Sequence, residues 1–402
     1  MTTLTPVDEA LERILADVQP VVETVSGPLI ESSGRVLAQE LVSPIDVPGA
    51  DNSAMDGYAL RAADAESGPL PMSQRIPAGY APEPLAPGTA ARIFTGATVP
   101  DGADTVVMQE NCNAEGDSVT VTGDVNPGQH IRRRGQDIAA GDSILSAGRR
   151  LRPQDLGLAA SVGVSIVETY RPLRVAILST GDELVEPGAA EPAPGQLYNS
   201  NRYTLSGLLS GLGMTVIDGG IVPDDLQATR TALADAADKA DVIVSSGGVS
   251  VGEEDHVKAA VESLGELGLW KLAIKPGKPL AFGRVANTPF LGLPGNPSSV
   301  FVTFCLIARP FLLKRQGASD LATPSVTARA AFTVDRPGTR QEYLRATLSM
   351  TADGPSVNAF SNQSSGVLSS VSRSNALAVV PPGTTIAEGD PVEVLLLDLL
   401  TG

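Results

Sequence analysis

The chain has 402 residues, a formal net charge of −17 and 42% hydrophobic residues. That acidity argues against nucleic acid or an anionic membrane as partner of the whole surface, since like charges repel. Only two cysteines and two histidines (His130 and His256) occur, which argues against a disulfide framework, a structural zinc site or a histidine-based nucleophilic triad.

The length predicts two to four domains. With 4% aromatic residues, 41 glycines and 31 prolines, the composition predicts aliphatic cores joined by tight turns. No signal peptide is visible, and no apolar run approaches the ~20 residues that span a bilayer. A cytoplasmic protein without membrane insertion is expected.

The first predicted element is a helix over 6–18. Thr5 is placed to cap it, Pro6 suits its first position, and Asp8 closes a capping box. Leu11, Ile14, Leu15 and Val18 form its apolar face. Up to residue 170 there is no regular strand–helix alternation. Short strands at 92–96 and 104–110 and a Pro/Ala/Gly-rich stretch at 65–90 predict a mixed, β-rich region.

From residue 172 the texture changes. Strands are expected at 174–180, 214–218, 241–245, 270–274, 279–285 and 289–293. Helices are expected at 201–212, 225–239, 254–264 and 297–315, the last kinked at Pro310. This alternation predicts a doubly wound, parallel α/β domain with its ligand at the carboxyl ends of the strands. The loops after 179, 245 and 293 lie there. Residues 325–402 show period-2 strands between Gly/Pro turns, predicting a small β-barrel or sandwich. DIAAGDSIL (137–145) echoes TIAEGDPVEVL (385–395), which reads as shared turn chemistry and not a repeat.

Three segments carry the chemistry. In SSGGVSVGEEDHVK (245–258), Gly247, Gly248 and Ser250 suit an oxyanion-binding turn after a buried strand, and Asp255 a metal or ribose contact. The loop is neither a Walker A nor a dinucleotide fingerprint. In AIKPGKP, Lys275 and Lys278 are held between prolines, which favours an anion as their partner. In LPGNPSS, Pro294 and Gly295 precede Asn296, the expected cap, with Ser298 and Ser299 in the first helical turn. Asp182 and Glu183 follow the first strand, and Asp224 and Asp225 sit at a helix start where capping also explains them. Asp51 and Asp56 lie in DNSAMDGYA, Thr95 in IFTGA, and Asp137 follows Arg132, Arg133 and Arg134, a run that by itself reads as solvated.

Taken in order, DNSAMDGYA, FTGATVPDGADTVVMQE, RRRGQDI, STGDEL, SNRYTLSGLL, SSGGVSVGEED, IKPGKP, LPGNP and NQSSGVLSS closely resemble the molybdopterin molybdenumtransferase family, which is similar to the C-terminal domain of gephyrin. The resemblance covers essentially the whole chain. It implies an elongated, multidomain α/β protein and a homodimer. A linking domain (1–26, 47–54 and 137–171), an inserted β-rich domain (27–46 and 55–136), a molybdopterin-binding α/β domain (172–318) and a C-terminal β-barrel (325–402) are expected.

The implied reaction converts adenylylated molybdopterin and molybdate to molybdenum cofactor and AMP, with Mg²⁺. By resemblance, Ser250, Lys275, Lys278 and Pro279 line the anion region, and Arg345, with Arg340, and Ser365 complete it. Glu183, Asp224 or Asp225, and Asp255 serve the Mg²⁺–AMP side. Asp56, Thr95 and Asp137 come from the first half, across the dimer. Charge stabilisation by metal and lysines is expected in place of histidine acid–base catalysis. The alternative is a gephyrin-like scaffold that binds a short peptide of a cell-division, cytoskeletal or membrane protein.

Overall fold

The computed structural model describes residues 4–21, 23–248 and 256–401. Its centre is a six-stranded sheet in the order Thr215–Val222, Arg174–Thr180, Val242–Ser246, Thr288–Leu293, Pro279–Val285, Gly265–Lys271. The first four strands run parallel, and Pro279–Val285 runs antiparallel to both of its neighbours, so that Gly265–Lys271 at the edge regains the direction of the first four. The antiparallel strand departs from the expected pure alternation. Only Ala286 and Asn287 separate Pro279–Val285 from Thr288–Leu293, too short a link for a crossover helix. The strand expected at 270–274 lies instead at Gly265–Lys271.

Val242, Ile243 and Val244 are completely buried, as are Leu291 and Leu293. Helices cover both faces, which explains the unbroken apolar runs. The helix Pro297–Arg315 is long and apolar enough to cross a membrane, but 89% of it is buried inside the protein. It is the central core helix. A π-turn at Phe304–Ala308 precedes Pro310, in keeping with the lost donor of the proline ring.

The N-terminal helix spans Val7–Ala16, with Val7, Ala10 and Ile14 buried against that core. Thr5 does not cap it. Its backbone is used in a short pairing, with Thr5 N donating to the Lys271 carbonyl at 2.8 Å and Ala273 N to the Thr5 carbonyl at 2.7 Å.

A separate six-stranded sheet is built from strands between Gly57 and Val121. Residues 29–41, expected with this unit, share an apolar cluster with Leu145, Leu151, Ala159 and Val167 instead. Strands Thr24–Pro28 and Ile166–Tyr170 pair there, as do Leu41–Val42 and Ser143–Leu145.

The C-terminal region closes as a five-stranded barrel of Gln341–Thr351, Gly354–Ala359, Ser325–Ala330, Pro391–Leu396 and Ala376–Val380. Closure removes free edges. The two sequence echoes form the same turn. Asp142 accepts from Ala139 N and Asp390 from Ala387 N, each at 2.8 Å.

Asp241 fastens the base of the central sheet. It accepts from the Arg171 guanidinium at 2.6 and 2.8 Å, and from Arg174 N at 2.8 Å. Burial pushes its carboxyl up, but the Arg171 and Arg174 hydrogen bonds outweigh this and hold it well below the usual carboxylate range. A depressed folded-state pKa stabilises the fold above the unfolded value of 3.8 and is lost as pH falls further. Asp241→Asn should therefore destabilise the protein by about 2–4 kcal/mol at pH 7. It should also flatten the acid limb of the stability curve, as measured by urea unfolding between pH 7 and 3.

Candidate functional site

A cleft of about 1310 Å³ opens where the α/β domain meets the barrel. Its floor is the carboxyl end of the parallel strands. Thr180 lies there as the last residue of one buried strand, and Gly247, Gly248, Pro294 and Gly295 follow two others. Gly248 has φ +62°, and a Cβ on it would fall 2.3 Å from Val257 Cγ2 and 2.8 Å from Thr180 Oγ1. Glycine is required for so close an approach.

Thr180 Oγ1, Asn201 Oδ1, Ser245 Oγ and Ser246 Oγ are buried and make no hydrogen bond among the described residues. Each unmet group costs about 1–3 kcal/mol. Their gathering at one end of the sheet suits a polar ligand.

One wall carries the positive charge. Lys275, Pro276, Gly277, Lys278, Pro279 and Arg340 line it. Ile274–Lys275 adds parallel to the barrel strand Gln341–Thr351, so this loop is shared between two domains. Gln341 N donates to the Ala273 carbonyl at 2.9 Å, and Arg340 Nη1 to the Ile274 carbonyl at 3.0 Å.

The barrel supplies a second contact through Gln363, Ser364, Ser365 and Gly366. Arg345 lies behind this loop, 1% exposed. It donates to the Ser370 hydroxyl at 3.0 Å and the Ser364 carbonyl at 3.1 Å. Desolvation lowers its pKa from the ordinary guanidinium value. Arg345 thus holds the loop and does not itself line the cleft.

Asn296 occupies the cap position of helix Pro297–Arg315 but makes no side-chain capping bond, and it lines the cleft. Ser298 is turned away, its hydroxyl donating to the Val367 carbonyl at 2.9 Å. Ser299 lines the cleft in its place.

Two carboxylates, Glu183 and Asp224, also line the cleft. Asp182 ties their loops together by accepting from Asp224 N at 3.1 Å. Asp225 is committed to capping, accepting from Ala228 N at 2.8 Å. Among the described residues no three His, Cys, Asp or Glu side chains cluster as a ready metal cage. Hard oxygens from one or two carboxylates, completed by a nucleotide phosphate, are a donor set that magnesium accepts. Ser250 and Asp255 lie outside the described residues.

Asp56, Thr95 and Asp137 do not line this cleft. Asp56 accepts from Thr95 N at 2.7 Å and Thr95 Oγ1 at 2.8 Å, and these bonds lower its pKa. Asp137 N donates to the Val47 carbonyl at 3.0 Å. Of the arginine run, Arg133 pairs with Asp51 and Arg134 with Asp46.

Sequence reasoning gave no role to Asn199, Ser200 and Asn201, which line the cleft. Asn199 accepts from Arg202 N, and Asn201 donates to the Gly295 carbonyl at 2.7 Å. Their signal was the polar Asn-Ser-Asn run opening a helix after a short strand.

Three family models match in order. They are the MoeA N-terminal region (domain I and II) over residues 5–163, a probable molybdopterin binding domain over 176–314, and the MoeA C-terminal region (domain IV) over 327–397. The molybdopterin molybdenumtransferase of Haemophilus influenzae is 39% identical over 378 residues, 93% of either chain. The chain belongs to the molybdopterin molybdenumtransferase, or MoeA, family. The molybdopterin molybdenumtransferase of Nostoc sp. is also 39% identical, over 92% of this chain and 87% of that one. The crystal structure of the MoeA molybdopterin biosynthesis protein of Pyrococcus horikoshii OT3 superposes with a TM-score of 0.85 at 31% identity, covering 98% of this chain and 100% of that one. The multidomain α/β fold thus has a solved counterpart over 98% of the chain.

Gly277 offers a direct test of the lysine wall. It has φ +108°, and a Cβ there would meet Thr303 Oγ1 at 2.4 Å. Gly277→Ala should destabilise the protein by roughly 1–3 kcal/mol. It should also weaken anion binding at the cleft, measured by thermal unfolding and by molybdate titration.

Proposed function

We propose that this MoeA-family chain is a molybdenum-inserting transferase, which joins molybdate to adenylylated molybdopterin and releases AMP. The observation that carries the reading is the cleft itself. Lys275, Lys278 and Arg340 share its lining with Glu183, Asp224, Gly247, Gly248 and the unpaired Thr180 hydroxyl, in a chain of net charge −17. Molybdate is a dianion, and the other substrate carries phosphates. Local cations attract both while the rest of the surface repels anions.

Lys275, Lys278 and Arg340 hold the oxyanions and offset charge that develops as the phosphoanhydride opens. Ser299 and Ser365 donate hydrogen bonds to the same anions. Gly247 and Gly248 let backbone approach a phosphate closely. Arg345 keeps the 363–366 loop in place. Glu183 and Asp224, with Asp255, would hold Mg²⁺. When bound, Mg²⁺ neutralises phosphate charge and orients the leaving AMP. Holding both substrates in one cleft turns an encounter into a neighbouring-group step.

The protein acts as a homodimer in the cytoplasm. Asp56, Thr95 and Asp137 then serve a partner's cleft, since they stand apart from their own. Exposed Ile30, Val42, Ile45 and Ile166 on the linking unit offer an apolar face for the partner. The peptide-scaffold reading has less support, because the relatives carry transferase names and the cleft is built for charge.

Molybdenum insertion measured with purified protein, adenylylated molybdopterin and molybdate tests this function. Lys275→Ala and Lys278→Ala should each slow it on the order of 10²-fold with the fold intact by circular dichroism. Wild-type protein that forms no cofactor, or variants that match it, would overturn the assignment. Mixing Asp56→Ala with Lys275→Ala protein should restore activity that neither shows alone, because one heterodimer cleft is then intact. Failure to complement would overturn the assignment of Asp56 to the partner's cleft.

A further inference from the structure

Lys275 and Lys278 line the same wall but are not equivalent. Lys275 Nζ lies 3.1 Å from Glu342 Oε2. No ion pair to Lys278 is present among the described residues. Glu342 is an acid placed directly against an anion-binding lysine, which runs against the charge logic of the cleft.

Its position is built by the fold. Lys275 and Glu342 are register partners in the parallel pairing between the two domains. On its other side Glu342 pairs with Val380 inside the closed barrel. The backbone of Glu342 is therefore held from both flanks. Gly338 closes the space around the carboxylate, since a Cβ there would fall 2.6 Å from Glu342 Oε1. The Glu342 side chain is 18% exposed and that of Lys275 48% exposed. Glu342 is not part of the cleft lining, whereas Lys275 is.

We propose that Glu342 is the built-in counter-ion of Lys275, a positioning residue that competes with the incoming oxyanion for the ammonium and so sets how tightly the cleft holds a dianion. The inference rests on the reading of this cleft as an oxyanion site. A half-exposed ion pair is weak, so its exchange for a lysine–oxyanion pair is easily reversed. A dianion drawn onto Lys275 also meets the repulsion of the carboxylate behind it. The device keeps the lysine aimed between turnovers and prevents the anion from being held too firmly to leave.

Calorimetric titration of full-length protein with molybdate alone tests this. Glu342→Gln should bind molybdate on the order of tenfold more tightly than wild type, with a steeper loss of affinity as salt is raised. Glu342→Asp, which keeps the charge, should return affinity towards the wild-type value. In a Lys275→Met background, Glu342→Gln should no longer tighten binding. Unchanged or weaker molybdate binding by a folded Glu342→Gln protein would overturn the counter-ion role while leaving the oxyanion site standing. Tightening that persists without Lys275 would overturn it too, since the effect would then not pass through that lysine. Should wild-type protein take up no molybdate at all, the oxyanion reading and this inference fall together.

Discussion

Two residues of strand pairing join the chemistry of this protein to its architecture. Ile274–Lys275 adds to the barrel strand Gln341–Thr351. That pairing carries the lysine loop across the gap between the α/β domain and the C-terminal barrel. Without it the cleft would lose its cationic wall. With it, Lys275, Lys278 and Arg340 become a wall whose position is set by backbone hydrogen bonds instead of side-chain chance. The Thr5 backbone braces the base of the same loop, so the first residues of the fold also serve the site.

A second seam closes the other side. Ser298 N donates to the Ser365 carbonyl at 3.0 Å, and the Ser298 hydroxyl to the Val367 carbonyl. Buried Arg345 draws the same loop inward from behind. The barrel is therefore fastened to the sheet at two places flanking the opening. Residues that sequence reasoning would place on the ligand, such as Ser298 and Arg345, are spent on holding those that do line it.

The floor is where the packing rules relax. Elsewhere in the central sheet the strands are filled with valine, leucine and isoleucine. At their carboxyl ends the side chains become Thr180, Ser245 and Ser246, and their hydroxyls are left unmatched. Gly247 and Gly248 strip the next turn of side chains. Such groups are unfavourable in a core and useful at a binding surface. Charge is treated similarly. An acidic chain reserves three cations for one wall, adds two carboxylates to the cleft lining and sets a third against Lys275.

Much of this was legible in the residues. Apolar runs bounded by Gly and Pro turns marked the parallel strands, because a strand covered on both faces has no polar alternation. The Gly-Gly-x-Ser turn, the Pro-fenced lysines and the Pro-Gly-Asn-Pro turn declared themselves because few structural needs call for those residue types together. What only the tertiary structure decided was which of them meet. Ser298 and Ser299 are neighbours in sequence, yet one faces a barrel loop and the other the cleft, since a helix turns each successive residue by about 100°. Asp224 lines the cleft while its neighbour Asp225 caps the helix Leu226–Lys239. The Lys275–Glu342 pair spans 67 residues, and no local pattern announces it. Local chemistry is written in neighbouring residues; a contact between distant ones exists only once the chain has closed around it.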